Sequence, residues 1–339
     1  MKIAIVTPAA ARSRNGNRNT AARWARFLRE QGHRVTVEQT WGNSPADLMI
    51  ALHARRSFGS VARYADAFPE RPLIVVLTGT DVYRDIQTDA NAKRSLELAT
   101  RLVVLQEMAL NELSPRLRGK CSVIYQSAPR IEPVASLSSC FEIVVSGHLR
   151  DEKDPFRTAA ALQYLPTGSR VRVTHVGGAL DPHMADEARR WMARDNRYRW
   201  LGEVPHGRAL RFLSRARLMV ISSRMEGGAN VVSEALTAAV PVIASRIAGN
   251  IGMLGARYPG YYACGSEQAL GKLISRAERD PVYYSSLAAA CRKRAALVTP
   301  ERERKALCEL VNESGMRSTV SRTARALRNF KPGRATVAE

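Results

Sequence analysis

Two glutamates, Glu226 and Glu234, stand either side of a double glycine in RLMVISSRMEGGANVVSEALTAAVPVIASR, residues 217–246. The apolar run before them reads as a buried strand, the stretch from about Ala229 as a helix, and the residues after Pro241 as another strand. Ligands of open α/β sheets bind beyond the carboxyl ends of the strands, where a helix N-terminus offers unpaired N–H groups and partial positive charge to a phosphate. That logic sets Gly227, Gly228, Ala229 and Asn230 against an anion, with the glycines letting the backbone come close. Glu226 precedes the helix and Glu234 lies about one turn inside it, so the carboxylates reach different parts of one extended ligand. Two glutamates at this spacing occur in many helices; strand, double glycine, helix and proline together give the pattern its weight. A second stretch, SGHLRDEKDP at 146–155, follows the apolar FEIVV and brings Lys153, Arg150 and His148 to a strand end.

The N-terminal half has its own candidates. In SRNGNRNTAARWA, Gly16 permits a tight turn, Asn17 and Arg18 sit at the mouth, and Thr20 is placed to cap a helix whose apolar face carries Trp24, Phe27 and Leu28. Such a loop suits an anionic acceptor or a diphosphate, or is simply solvated. LMIALHARRS sets His53, Arg55 and Arg56 after a strand, where a lone histidine is as often structural as functional. LTGTDVYRD adds Thr78, Gly79 and Thr80. No Gly-x-Gly-x-x-Gly fingerprint or Walker A lysine supports NAD or ATP, and no Asp-x-Asp or Cys-x-x-Cys cluster points to a metal, so neither cofactor nor metal is expected.

Short apolar runs alternating with helical periodicity must position these residues. KIAIVT, HRVTVEQ, ADLMIALHA, RPLIVVLTG and RLVVLQ form one βαβα series; FEIVVSG, VRVTHVG, YRWLGEV, RLMVISS and PVIASR form another. The rhythm breaks at the Pro- and Ser-containing residues 131–139, the expected linker. Two doubly wound α/β domains follow, 1–135 and 140–314, with a basic, loosely held tail at 315–339 for which a nucleic-acid or lipid-binding arm is the functional alternative.

Lys and Arg number 52 against 31 Asp and Glu, a formal charge of +21 that favours anionic partners without choosing among them. Aromatics are only 6% and no nucleic-acid motif is present, so nucleic acid is not expected as a partner. Five scattered cysteines fit a reducing compartment, KIAIVT reads as a strand rather than a signal peptide, and no run reaches a membrane span; a cytoplasmic location is expected. The sequence carries no pattern that sets an oligomeric state.

EGGANVVSEALTAAVPVIAS resembles the Glu-x7-Glu signature of the retaining GT-B glycosyltransferases of family 4. The resemblance implies two Rossmann-like domains facing a cleft, the first on the acceptor side and the second binding a nucleotide-sugar. It implies that Glu226 holds donor-sugar hydroxyls, that the amides from Gly228 to Asn230 meet sugar and diphosphate, and that Glu234 binds the ribose. SGHLRDEKDP is similar to the family's Gly-Arg-Leu…Glu-Lys-Gly segment, so Lys153 matches its diphosphate-gripping lysine. His148 stands where the family has Arg; neutral imidazole has one donor and no fixed charge, and Arg150 is a substitute cation. LTGTDV is similar to the family's His-Gly-Thr-Asp-Val, with Thr78 replacing the His.

Together with NGNRNTA, ALHARRS, VVLQ, VIYQSA and SRMEGGANVVSEA, these segments resemble the selenosugar synthases of selenoneine biosynthesis over roughly residues 1–300. That subgroup joins UDP-N-acetylglucosamine or UDP-glucose to selenophosphate, releasing UDP and phosphate. It would place selenophosphate on Arg18 with one or more of Arg55, Arg56 and Arg224, and make Glu226, Lys153 and Arg18 the catalytic groups. An anionic, soft nucleophile needs no general base, consistent with Thr78 at the family's His position. The alternative is a family 4 enzyme acting on a sugar or lipid hydroxyl.

Overall fold

Strand β1, Lys2–Val6, begins a sheet completed by β2 (Arg34–Glu38), β3 (Leu48–Leu52), β4 (Leu73–Leu77), β5 (Arg101–Val104) and β6 (Cys121–Val123). The computed structural model describes residues 1–10, 16–132 and 134–329. The strands are parallel in the order β2-β1-β3-β4-β5-β6. Every residue of β3 and β4 is buried, as their unbroken apolar sequences LMIAL and LIVVL require when helices cover both faces. The second sheet comprises β7 (Phe141–Ser146), β8 (Val171–Val176), β9 (Tyr198–Trp200), β10 (Leu218–Ile221), β11 (Val242–Ser245) and β12 (Tyr261–Tyr262), parallel in the order β12-β11-β10-β7-β8-β9. The α/β, doubly wound fold expected from the apolar rhythm is therefore present twice.

Both sheets reverse their winding beside their first strand. β1 lies between β2 and β3, and β7 lies between β8 and β10. Loops on either side of such a reversal diverge and leave a crevice at the carboxyl ends of the strands. In the second sheet those loops carry His148 to Lys153 and Ser222 to Asn230. In the first they carry Thr7 to Ala10 and the His53–Arg56 turn.

The last helix, Pro300–Asn329, does not stay with the domain to which the sequence assigned residues 140–314. Leu307, Leu310 and Val311 pack with Ile3, Ile5, Trp24 and Leu28 under the first sheet. Buried Glu303 pins the helix there: its carboxylate accepts from Arg23 Nε and Nη2, Trp24 Nε1, Ser127 N and Ser127 Oγ. An apolar stripe on a helix specifies burial but not which sheet supplies it, which is why the return was not legible. Residues 315–329, read as the start of the tail, continue this helix, and 330–339 lie outside the described residues. The two chain crossings between domains touch where Ala128 N donates to Val298 O, 3.2 Å. Among the described residues no helix is long and apolar enough to cross a membrane.

Candidate functional site

The loop after β7 is held from below. Gly147 N donates to Val176 O at 2.9 Å, and fully buried His175 reaches the Gly147 carbonyl through Nε2 at 3.3 Å while its Nδ1 meets Tyr198 Oη at 2.8 Å. Burial pushes His175 down to a pKa of about 4, so it is neutral at pH 7 and its Nε2–H donates to Gly147. His148 follows. Its Nδ1 accepts from Gly178 N–H at 3.1 Å, which places the proton of the neutral ring on Nε2. His148, Lys153, His175, Ser222 and Ser223 line one small cavity of ≈ 20 Å³, about the room one water occupies.

Lys153 ends a 3₁₀ turn, Asp151–Lys153, and Asp154 after it is left-handed at φ 44°. Its Nζ makes an ion pair with Oε1 of Glu226, which also accepts from Ser223 Oγ at 2.6 Å. The cation and the carboxylate singled out in separate motifs thus meet at the winding reversal of the second sheet. The helix expected near Ala229 runs Asn230–Thr237, with Ala229 at its N-cap. Glu234, one turn in, is bound at Oε1 by His206 Nε2 at 2.9 Å, and that hydrogen bond raises the His206 pKa. His206 was not singled out in the sequence. The only signal was a histidine after Pro205 at a helix start, and nothing in the sequence brings that start next to Glu234.

The double glycine serves a different neighbour from the one expected. A Cβ on Gly227 would collide with the Thr78 carbonyl and Gly79 N, and one on Gly228 would fall 2.6 Å from Leu105 Cβ. The backbone that comes close is therefore that of the first domain, which seats Thr78 and Gly79 directly on the Gly227 loop. Gly16 is adjacent as well, its Cβ position 3.3 Å from Asn230 Nδ2. Thr20 does not cap its helix: the helix begins at Gly16, and buried Thr20 lies inside it, donating from Oγ1 to Gly16 O at 2.9 Å. Gln126 ties the two helix starts together, donating to Thr20 Oγ1 and accepting from Ser233 Oγ at 2.7 Å. Asn17 and Arg18 are half-buried in the first turn of that helix.

The acceptor-side candidates divide. His53, left-handed at φ 74° and 3% exposed, lies beneath the surface with Nε2 on Thr80 Oγ1 at 3.1 Å and Nδ1 accepting from Arg56 N at 3.4 Å. Its pKa is lowered, burial outweighing the pull of Asp81. Asp81 Oδ1 accepts from Thr78, Gly79 and Val82 N–H, and Oδ2 from Ala54 N–H. Arg55 donates from Nε to Asp85 Oδ2 at 2.9 Å, while Arg56 is exposed. Arg224 departs from the expected cluster: its Nη2 lies 3.6 Å from Asp154 and it lines a separate cleft of ≈ 260 Å³ with Met184 and Trp191. Arg150 is exposed.

The second domain supplies the deciding observation, because the family model described as "Glycosyl transferases group 1" matches residues 136–297. That segment, just under half of the chain, is similar to a group 1 glycosyl transferase domain. It contains the loop after β7, the Lys153–Glu226 pair and Glu234. No curated protein matches the chain. Among solved structures, Anabaena HepE in complex with UDP and glucose is 17% identical with a TM-score of 0.74, covering 92% of this chain and 100% of that one. Sucrose-phosphate synthase from Thermosynechococcus elongatus is 17% identical with a TM-score of 0.76, covering 92% and 98%. A glycosyltransferase from Rickettsia africae is 12% identical with a TM-score of 0.71, covering 92% and 98%. With the two six-stranded parallel sheets, these likenesses establish the fold as GT-B, two Rossmann-like domains across a cleft.

Proposed function

We propose that the protein is a glycosyltransferase that takes a hexose from a UDP-sugar, UDP-N-acetylglucosamine or UDP-glucose, and transfers it to selenophosphate. The observation carrying the transferase reading is the convergence of Lys153, Glu226 and the Asn230 helix start at one strand-end crevice of the group 1 domain. UDP in complex with HepE supports the choice of nucleotide. Lys153 and the helix N-terminus would take the diphosphate, Glu226 the sugar hydroxyls and Glu234 the ribose. The neutral Nε2–H of His148 would be a donor to the diphosphate, where a guanidinium would add charge.

The groups of the first domain that could take a proton support the choice of acceptor. Asp81 is committed to four backbone N–H groups, and His53 is buried against Thr80, so neither stands ready to take a proton from an alcohol. An acceptor already anionic at its nucleophilic atom needs no such group. Selenophosphate is such an acceptor, and Arg18 and Arg56 would hold it. Selenium bonds to C1 as the C1–O bond to UDP breaks, and water takes the phosphoryl group from selenium, so UDP-sugar, selenophosphate and water give the 1-selenosugar, UDP and phosphate. Closure of the Thr78–Gly79 loop on Gly227 would exclude bulk water from the transfer step.

The test is mass spectrometry of the purified protein with each UDP-sugar and selenophosphate under reducing, oxygen-free conditions, with Glu226→Ala as control. A selenosugar formed by the native protein and lost in the variant is the expected result. UDP release with hydroxyl acceptors alone would replace the acceptor, and no interaction with any UDP-sugar would overturn the reading.

A further inference from the structure

β10 is followed by two serines whose hydroxyls have no role in any sequence motif, and both are buried: Ser222 is 3% and Ser223 1% exposed. Adjacent residues at a strand end point to opposite sides, and here each hydroxyl takes hold of a different half of the site. Ser222 Oγ shares its proton between the carbonyls of Lys153, 3.0 Å, and Asp154, 2.8 Å. Those carbonyls flank the left-handed Asp154, a conformation unfavourable for a non-glycine residue unless its surroundings hold it. Ser222 therefore fixes the backbone from which the Lys153 side chain projects. Ser223 Oγ donates instead to Glu226 Oε1, beside the Lys153 ammonium. With both donors on Oε1, the carboxylate is held in one orientation and Oε2 is the oxygen left for another donor. Ser223 is anchored in turn, its carbonyl accepting from Ser245 Oγ at 2.5 Å, and Ser245 accepts from Asn250 Nδ2 at 2.9 and 3.1 Å.

We propose that Ser222 and Ser223 are positioning residues with divided duties: Ser222 sets the diphosphate grip through the Lys153 turn, and Ser223 sets the sugar grip through Glu226. This rests on the reading of the site as a UDP-sugar site. Neither hydroxyl touches the ligand; each acts through a neighbour. UDP lacks the sugar that Glu226 would hold, so the two ligands separate the two duties.

Binding of UDP and of UDP-glucose to the full chain is measured calorimetrically for the native protein, Ser222→Ala, Ser223→Ala and Ser223→Thr. Loss of one buried hydrogen bond to a charged or strained group predicts a change of about tenfold. Ser222→Ala weakens both ligands about tenfold. Ser223→Ala weakens UDP-glucose about tenfold and leaves UDP within twofold, which also shows that the variant is folded. Ser223→Thr, which keeps the hydroxyl, restores UDP-glucose binding. In turnover the same division appears as a lower kcat/KM for the donor in Ser223→Ala with unchanged inhibition by UDP. If the native protein binds both ligands and the two alanine variants shift them in parallel or not at all, the division is wrong while the donor site stands. If the native protein binds neither UDP nor UDP-glucose, the donor site falls and this inference falls with it.

Discussion

Gly227→Ala tests whether the double glycine exists for the opposite domain. Gly227 shows no left-handed backbone angle, so alanine is not excluded by conformation; the obstacle is space. The new Cβ would lie 2.5 Å from the Thr78 carbonyl carbon and 2.7 Å from Gly79 N. Carbon atoms settle about 3.5–4.0 Å apart, so the two loops must part by about 1 Å. Both obstructing groups are backbone, and neither can rotate away. Because they belong to different domains, the cleft can open at modest cost, and stability should change by no more than the roughly 1–3 kcal/mol typical of overpacking. Activity is more exposed, since a displacement of about 1 Å between bound reactants costs on the order of 100-fold in rate. The expected result is a fall of about 100-fold in kcat/KM for the UDP-sugar with a melting temperature close to native. Gly207→Ala is the control: nothing lies within 4 Å of its Cβ position, so it leaves turnover unchanged and stabilises its helix by about 0.5–1 kcal/mol. A Gly227→Ala protein with native kcat/KM would refute the claim that the domains must meet at this glycine.

Removing Glu303 should be severe, since it leaves the Trp24 and Ser127 donors buried and unpaired and takes the carboxylate from half-buried Arg23: Glu303→Ala costs about 3–5 kcal/mol, read as a melting temperature lower by several degrees. His175 gives a pH dependence of known sign. Its folded pKa of about 4 is below the ordinary 6.5, so the unfolded chain binds the extra proton between these values. Its contribution is complete above pH 6.5 and is lost as pH falls toward 4, about 3 kcal/mol in all. Denaturant unfolding at pH 7 and pH 5 should show a smaller difference in His175→Gln than in the native protein, and equal differences would remove His175 as the source.

Most of β1–β5 and β7–β11 were legible as apolar runs between helical segments, while β2 and three-residue β9 were legible as the mixed segments HRVTVEQ and YRWLGEV in step with that alternation. β6, CSV, and β12, YY, carry too little pattern to be seen, without a long apolar run around them. Of the site, the charged groups were legible by type: Lys153 and Glu226 were named from separate segments and meet in space. What chemistry-bearing residues cannot disclose is their neighbours. Gly227 announced close approach without saying to what, and the partner proved to be Thr78. Arg55 and Arg224 looked like free cations and are turned to Asp85 and Asp154, carboxylates that lie elsewhere in the sequence. Thr20 had the composition of a cap, but the helix gained another turn from Gly16 onward and drew its hydroxyl inside. Ser222 and Ser223 are unremarkable by type, and only the position of the Lys153 turn gives their hydroxyls work.

The return of the final helix to the first sheet has a mechanical consequence. Gly315 lies against Met1, its Cβ position 3.1 Å from the Met1 sulfur, so the described chain closes on itself within one domain. The second domain is then an insertion whose entry and exit are stapled at Ala128 and Val298. Tension applied near Met1 and Gly315 would be borne by the clasp of the final helix on the first sheet and by the Glu303 cluster, and would reach the second domain only after that clasp tore. A force–extension record should show the first domain yielding before the domain that carries Lys153 and Glu226 feels any load.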